Sequence, residues 1–118
     1  MAEHNDLGKE GELLAEAWLV KKGFKILQKN WRFSKYEIDI IAIKDGLPHF
    51  IEVKTRSSYL YGQPEDNVKP KKIRDLLKGV DEYLYQHPEY KNFHLDILSI
   101  TMHPKFETEY FFIEDVYL

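Results

Sequence analysis

The chain contains no cysteine in its 118 residues, which excludes disulfides and thiolate metal ligands and fits a reducing cytoplasm. It has no apolar run approaching the roughly 20 residues that a membrane span needs. Its first residues, MAEHNDLGKE, are polar and acidic, so neither a signal peptide nor a transit peptide is expected. It also lacks an excess of positive charge. The net charge of −3 is not that of a protein that coats DNA. Repeats, low-complexity tracts and linkers are absent too, which leaves a single domain over 1–118 as the expectation. What is present is 43% hydrophobic and 31% charged, the make-up of an ordinary soluble globular protein. The charge is uneven. Residues 1–80 hold 15 Lys and Arg against 12 Asp and Glu, whereas 81–118 hold 2 against 8. Local contact with nucleic acid through the first part is compatible with that balance.

Hydrophobic spacing and turn residues divide the chain into α-β-β-β-α-β-β. A helix is expected over about 6–22, capped by Asn5 or Asp6 and stopped by Gly23, with Leu7, Gly11, Leu14, Ala15 and Trp18 on one stripe. Gly8, Gly11 and Ala15 on that side permit close approach of another backbone. A short strand follows near 24–28, then an unassigned segment 29–35. Strands at about 37–44 and 49–56 are joined by Asp45-Gly46, a strong hairpin signal. Residues 57–68 read as a loop. A second helix starts near Pro70 and stops at His87-Pro88, with Ile73, Leu76, Leu77, Val80 and Leu84 facing the core. Strands near 93–102 and 109–117 complete an α/β architecture with a central mixed sheet flanked by helices.

The hairpin carries the chemistry. With a two-residue turn at Asp45-Gly46, opposed residue numbers sum to 91, which sets Asp39 opposite Glu52 and Glu37 opposite Lys54. Directly opposed side chains stand with Cβ atoms about 4.5–5.5 Å apart on the same face. One face reads as core: Ile38, Ile40, Ala42, Ile51 and Val53. The other changes from Ile41, Ile43 and Phe50 near the turn to Glu37, Asp39, Glu52, Lys54 and Arg56 at the open end. Two acids at that separation repel unless one is protonated or a cation lies between them. A hard divalent ion bound by oxygen fits such a gap. Lys54, two residues beyond Glu52, projects to the same side.

EIDIIA, followed after a turn by FIEVKTR, resembles the D-x(n)-E-x-K signature of the PD-(D/E)xK nucleases. The chain as a whole resembles the YraN-like family of predicted endonucleases, distant relatives of archaeal Holliday-junction resolvases. The features that carry this are Gly8-x-x-Gly11-Glu12, Asn30-Trp31-Arg32, the hairpin, and Val68 with Lys72 at the second helix. Ile38 stands where the wider class often has proline, and Tyr36 where relatives tend to have glycine. The resemblance implies a restriction-endonuclease-like fold and hydrolysis of DNA phosphodiester bonds, on branched or otherwise structured DNA. It implies Asp39 and Glu52 as ligands of Mg²⁺ or Mn²⁺, joined by the backbone carbonyl of Val53. Lys54 would orient the attacking water and steady charge on the phosphate. Glu12 would complete the acidic site, and Lys72, Gln63, Arg56 and Arg32 would contact substrate. A homodimer would suit cutting two strands of a junction, and no membrane is expected as a partner.

Plainer readings stand beside these. The charged hairpin end can be an ion-pair network of Glu37 with Lys54 and Glu52 with Arg56. Glu37 can neutralise Lys54 or act as a third acid. Glu12 can be a solvated helical residue, Lys71, Arg74 and Lys78 a solvated helix face, and Trp31 a packing residue. The alternatives in function are a non-catalytic nucleic-acid-binding module and a protein-interaction domain. The five histidines, at 4, 49, 87, 94 and 103, include no pair at helical ligand spacing, so no zinc site is expected.

Overall fold

The computed structural model describes residues 2–57 and 69–116, with side chains from residue 8 onward. Its elements are α1 (Ala2–Lys21), β1 (Lys25–Phe33), β2 (Tyr36–Lys44), β3 (Leu47–Arg56), α2 (Pro70–Gln86), β4 (His94–Thr101) and β5 (Glu109–Ile113). The strands form one mixed sheet in the order β1-β2-β3-β4-β5. Neighbours are antiparallel except β3 and β4, which run parallel. The crossover that parallel strands require is supplied by the chain through α2. No described helix is long and apolar enough to cross a membrane.

α1 starts earlier than its cap residues suggest, so Asn5 and Asp6 lie within it. Its end is as expected. Gly23 adopts φ 97, its N–H reaches Val20 O at 3.1 Å, and Phe24 N–H reaches Leu19 O at 3.0 Å. These two bonds form a Schellman motif, which satisfies carbonyls that the helix would otherwise orphan. α2 opens with Pro70 at its first position, where a missing N–H costs nothing.

The segment 29–35, unassigned from the sequence, continues β1 and turns through Ser34-Lys35 into β2, with Phe33 paired to Tyr36. Ser34 has φ 56, a conformation that the local residue types do not advertise. The second hairpin follows its sequence signal. Asp45 and Gly46 both have positive φ, as a type I′ turn requires, and Lys44 pairs with Leu47 and Ile40 with Ile51.

α1 and α2 cover opposite faces of the sheet. Ala15 and Leu19 pack with Ile40, Ala42, Ile51, Leu98 and Ile100 on one face. On the other, Leu76, Val80 and Tyr83 pack with Trp31, Ile38, Ile41, Phe50 and Leu95. β4 is buried from Leu95 to Thr101, as a central strand covered on both faces should be. The helix faces differ in detail from expectation. Gly79 and Tyr83 are buried on α2, while Ile73, Leu77 and Leu84 only border the cluster. Gly11 faces a side chain rather than a backbone: a methyl there would overlap Thr55 Cγ2.

Candidate active site

Strict alternation along β2 sends Ile38, Ile40 and Ala42 to one face. The structure breaks that pattern. Ile40 and Ala42 face α1, but Ile38 packs on the α2 side against Trp31 and Gly79. The break falls at Asp39. On β1 the residue bracketed by the Lys29–Ile40 and Trp31–Ile38 pairs is Asn30, whose φ is 52. The β2–β3 ladder also ends at Ile40–Ile51. Beyond it the Asp39 side chain takes over the backbone's role, and its Oδ2 accepts the Val53 N–H at 2.8 Å. Such local irregularities re-aim side chains where a strand pair comes apart.

The parted strands leave a cleft of about 370 Å³ between the sheet and α2, lined by Glu37, Asp39, Glu52 and Lys72, with Lys35, Tyr36, Lys71, Asp75 and Leu76 completing it. Glu52 is buried, at 5% exposure. Two ammonium groups compete for one of its oxygens: Lys72 Nζ stands 3.0 Å from Oε2 and Lys54 Nζ 3.6 Å. Burial pulls the Lys72 pKa down, but its hydrogen bond to Glu52 and the charges of Glu52, Asp39 and Asp75 outweigh that and hold it above the ordinary lysine value.

Asp39 lacks such compensation. Burial pushes its pKa from 3.8 up to about 7, and Glu52, close enough to share a hydrogen bond with it, pushes the same way, as does Glu37. The Val53 N–H opposes them without prevailing. Two carboxyl groups are therefore held together in a half-open cleft, one of them near the midpoint of its titration at neutral pH. Hard oxygen donors with an unmet demand for positive charge suit a hard divalent cation, so the residues present fit Mg²⁺ or Mn²⁺.

The proposed ion-pair network is different from the observed one. Glu37 pairs with Arg32 across the first hairpin at 2.6 Å, not with Lys54, because the β2–β3 ladder has ended before Glu37 could oppose it. Glu52 pairs with Lys72 and Lys54. Arg56 lies further along β3, half-buried, with its carbonyl accepting the Met102 N–H at 2.8 Å. Arg32 is largely exposed at the mouth of the hairpin. Glu12 is not among the residues lining the acidic cleft and lies instead with Lys9, Leu13, Glu16 and Lys29. Gln63 and Val68 fall outside the described residues. Trp31 is a packing residue, buried edge-to-face on Tyr83 at 5.5 Å.

Lys35, Tyr36 and Asp75 also line the cleft and were not read from the sequence as site residues. Asp75 is legible in hindsight, because it stands three positions from Lys72 and four from Lys71, to which it pairs at 3.4 Å. Lys35 and Tyr36 depend on the first hairpin, which gave no clear turn signal. The Tyr36 ring borders the cleft with Lys35 and Lys78 ammonium groups 5.6 and 5.8 Å from its centroid.

Residues 11–100 match the model of a family described as "Uncharacterised protein family UPF0102". A UPF0102 protein of Flavobacterium psychrophilum is 49% identical over 112 residues, covering 94% of each chain. One of Flavobacterium johnsoniae is 47% identical, covering 85% of each. One of Chlorobium phaeobacteroides is 40% identical over 84% of this chain and 79% of its own. A family match across this much of the chain, with relatives this similar along nearly their whole length, establishes that the chain belongs to the UPF0102, or YraN-like, family.

Proposed function

We propose that this protein is a metal-dependent DNA endonuclease of the PD-(D/E)xK type, hydrolysing phosphodiester bonds in branched or otherwise structured DNA. The observation that carries the reading is the Asp39–Glu52 pair, whose mutual proximity and burial raise Asp39 to a pKa of about 7. Maintaining two acids in that state is unfavourable without a cation, and sites with such perturbed groups in a cleft are disproportionately functional.

Asp39 and Glu52 would hold Mg²⁺ or Mn²⁺, with the Val53 carbonyl as a further donor. When bound, such an ion supplies positive charge to the phosphoryl oxygen and lowers the pKa of water. Asp39 would serve as a ligand in its deprotonated form. Lys72 holds Glu52 from the α2 side at 3.0 Å, which orients that carboxylate. Lys54, 40% exposed and 3.6 Å from the same oxygen, is free to swing toward a phosphate and steady the charge that develops there. Lys35, Lys71 and Arg32 line or flank the approach and supply positive charge to a nucleic-acid backbone.

A second reading has one observation in its favour. Glu52 already has two ammonium partners, so the cleft is partly neutralised by the chain itself, as a non-catalytic nucleic-acid-binding module would allow. Cleavage of linear, nicked, flapped and four-way DNA with Mg²⁺ or Mn²⁺ separates the two. The endonuclease reading expects cleavage of at least one substrate, lost in Asp39→Ala. Salt-dependent binding without turnover on any substrate supports the module, and cleavage that persists in both Asp39→Ala and Lys54→Ala overturns the assignment.

A further inference from the structure

The face of the sheet under α1 carries a second cluster of titratable side chains, unrelated to the acidic cleft on the α2 face. The parallel register of β3 and β4 pairs His49 with His94 and Ile51 with Asp96. The two imidazole rings stack with centroids 4.4 Å apart and planes 17° apart. His49 Nδ1 lies 2.7 Å from Asp96 Oδ2, with both side chains almost fully buried. His94 Nδ1 lies 2.7 Å from Asp115 Oδ1. Asp115 adopts φ 53, and its N–H donates to Asp96 Oδ1 at 3.0 Å. One ligand atom from each of His49, His94 and Asp96 falls within 4.8 Å of the others. Both histidines line a separate cleft of about 440 Å³.

We propose that His49, His94 and Asp96 form a binding site for a divalent transition-metal ion such as Zn²⁺ or Co²⁺. Two imidazoles and one carboxylate are the borderline donor set that these ions prefer, in contrast to the all-oxygen acids of the other cleft. Asp96 is at 0% exposure, so its carboxyl group depends on close partners, which a bound cation would join. The ion would lie between His49 Nδ1 and Asp96 Oδ2, which stand 2.7 Å apart. Asp115 acts as a positioning residue, since a carboxylate on one ring nitrogen fixes the orientation of a ligating histidine. Ligand atoms on a tetrahedral ion at about 2.0–2.1 Å stand roughly 3.3 Å apart. The His49–Asp96 pair at 2.7 Å would open slightly and the widest pair would close from at most 4.8 Å, a movement for which His94, with 29% of its side chain exposed, has room. Three protein ligands leave a fourth position for water or a further ligand.

The test uses the full chain with Asp39→Ala, which silences the acidic pair, and Co²⁺ as probe. One equivalent of Co²⁺ should bind with the visible absorption of a four-coordinate ion, and Zn²⁺ should displace it. Adding His94→Ala should weaken binding by more than about 100-fold, and Asp115→Asn by about 10–100-fold. Because His94 is partly exposed, the variant is expected to stay folded, which far-UV circular dichroism checks. His94→Gln serves as a second variant if it does not. Absence of the absorption, or Co²⁺ binding of equal strength in either His94 variant, overturns the site. Neither result bears on DNA cleavage, so the proposal stands or falls separately from the endonuclease reading.

Discussion

Glu52 and His49 lie three residues apart on β3, yet they belong to opposite faces and to different chemistry. On the α2 face, Glu52 meets a second acid, and burial plus like charge leave Asp39 with a pKa of about 7. On the α1 face, His49 meets Asp96 at 2.7 Å, so each group there supplies what the other lacks. The contrast shows that burial alone does not decide what a carboxyl group does in this sheet. Asp96 is the more buried of the two aspartates, but it has an imidazole and a backbone N–H as partners. Asp39 has one N–H and an unfavourable neighbour. The strand pair comes apart at the acids and stays packed at the histidines.

The largest effect that would break this comparison is on the proposed DNA cleavage. Asp39→Ala should reduce Mn²⁺- or Mg²⁺-dependent DNA cleavage by on the order of 10³-fold, the several kcal/mol that metal-ion charge stabilisation supplies. Initial rates on the best substrate measure it, and a change of less than tenfold would remove the acids from the reaction.

Next in size is the scaffold on which both ends depend. Gly11→Ala forces a methyl into Thr55 Cγ2 and should destabilise the fold by about 1–3 kcal/mol. Adding Thr55→Ser should recover most of that in denaturant unfolding. No recovery would place the strain elsewhere in α1.

A smaller effect sharpens the electrostatic difference. The folded pKa of Asp39, about 7, lies above its ordinary value of 3.8, so the native state binds the proton more tightly than the unfolded chain. Its contribution is favourable at low pH and is lost as pH rises from about 4 through about 7. Asp39→Asn should therefore raise Tm at pH 8, with the gain vanishing near pH 4. Mn²⁺ should likewise stabilise the unaltered protein more at pH 8 than at pH 6, because it competes with that proton. Equal shifts at both pH values in a thermal melt would contradict the assignment of the perturbed group.

The smallest effect concerns the exposed pair at the cleft mouth. Arg32 has 74% of its side chain exposed beside Glu37, so Arg32→Ala should change stability by no more than about 0.5 kcal/mol. A DNA-contacting Arg32 would still show itself, because its loss should lower the salt slope of binding by about 1.

Much of the fold was legible in local patterns. Asp45-Gly46 specifies a type I′ turn because it accommodates two positive φ values, and the register of everything near that turn follows. Gly23 ends α1 for the same reason, and Pro70 begins α2. Lys72, which the resemblance implies as a substrate contact, lies 3.0 Å from Glu52. The first hairpin was not legible, since Ser34-Lys35 carries no glycine to announce its turn. The His49–His94 pair was equally hidden: it arises from a parallel pairing between strands that α2 separates in the chain.

By itself the sequence determined where β3 is apolar, where it becomes charged, and which residues stand nearest the turn that aligns it with β2. These properties are local, governed by alternation and by the φ values that a few residues tolerate. Only the tertiary structure decided which charges meet. It ended the ladder at Ile40–Ile51, turned Ile38 toward α2, gave Glu37 to Arg32 and Glu52 to Lys72, and stacked His49 on His94. The physical reason is that ion pairing and burial depend on distances across the sheet and to the helices. Those distances are set by packing between segments far apart in the chain, which no local periodicity encodes.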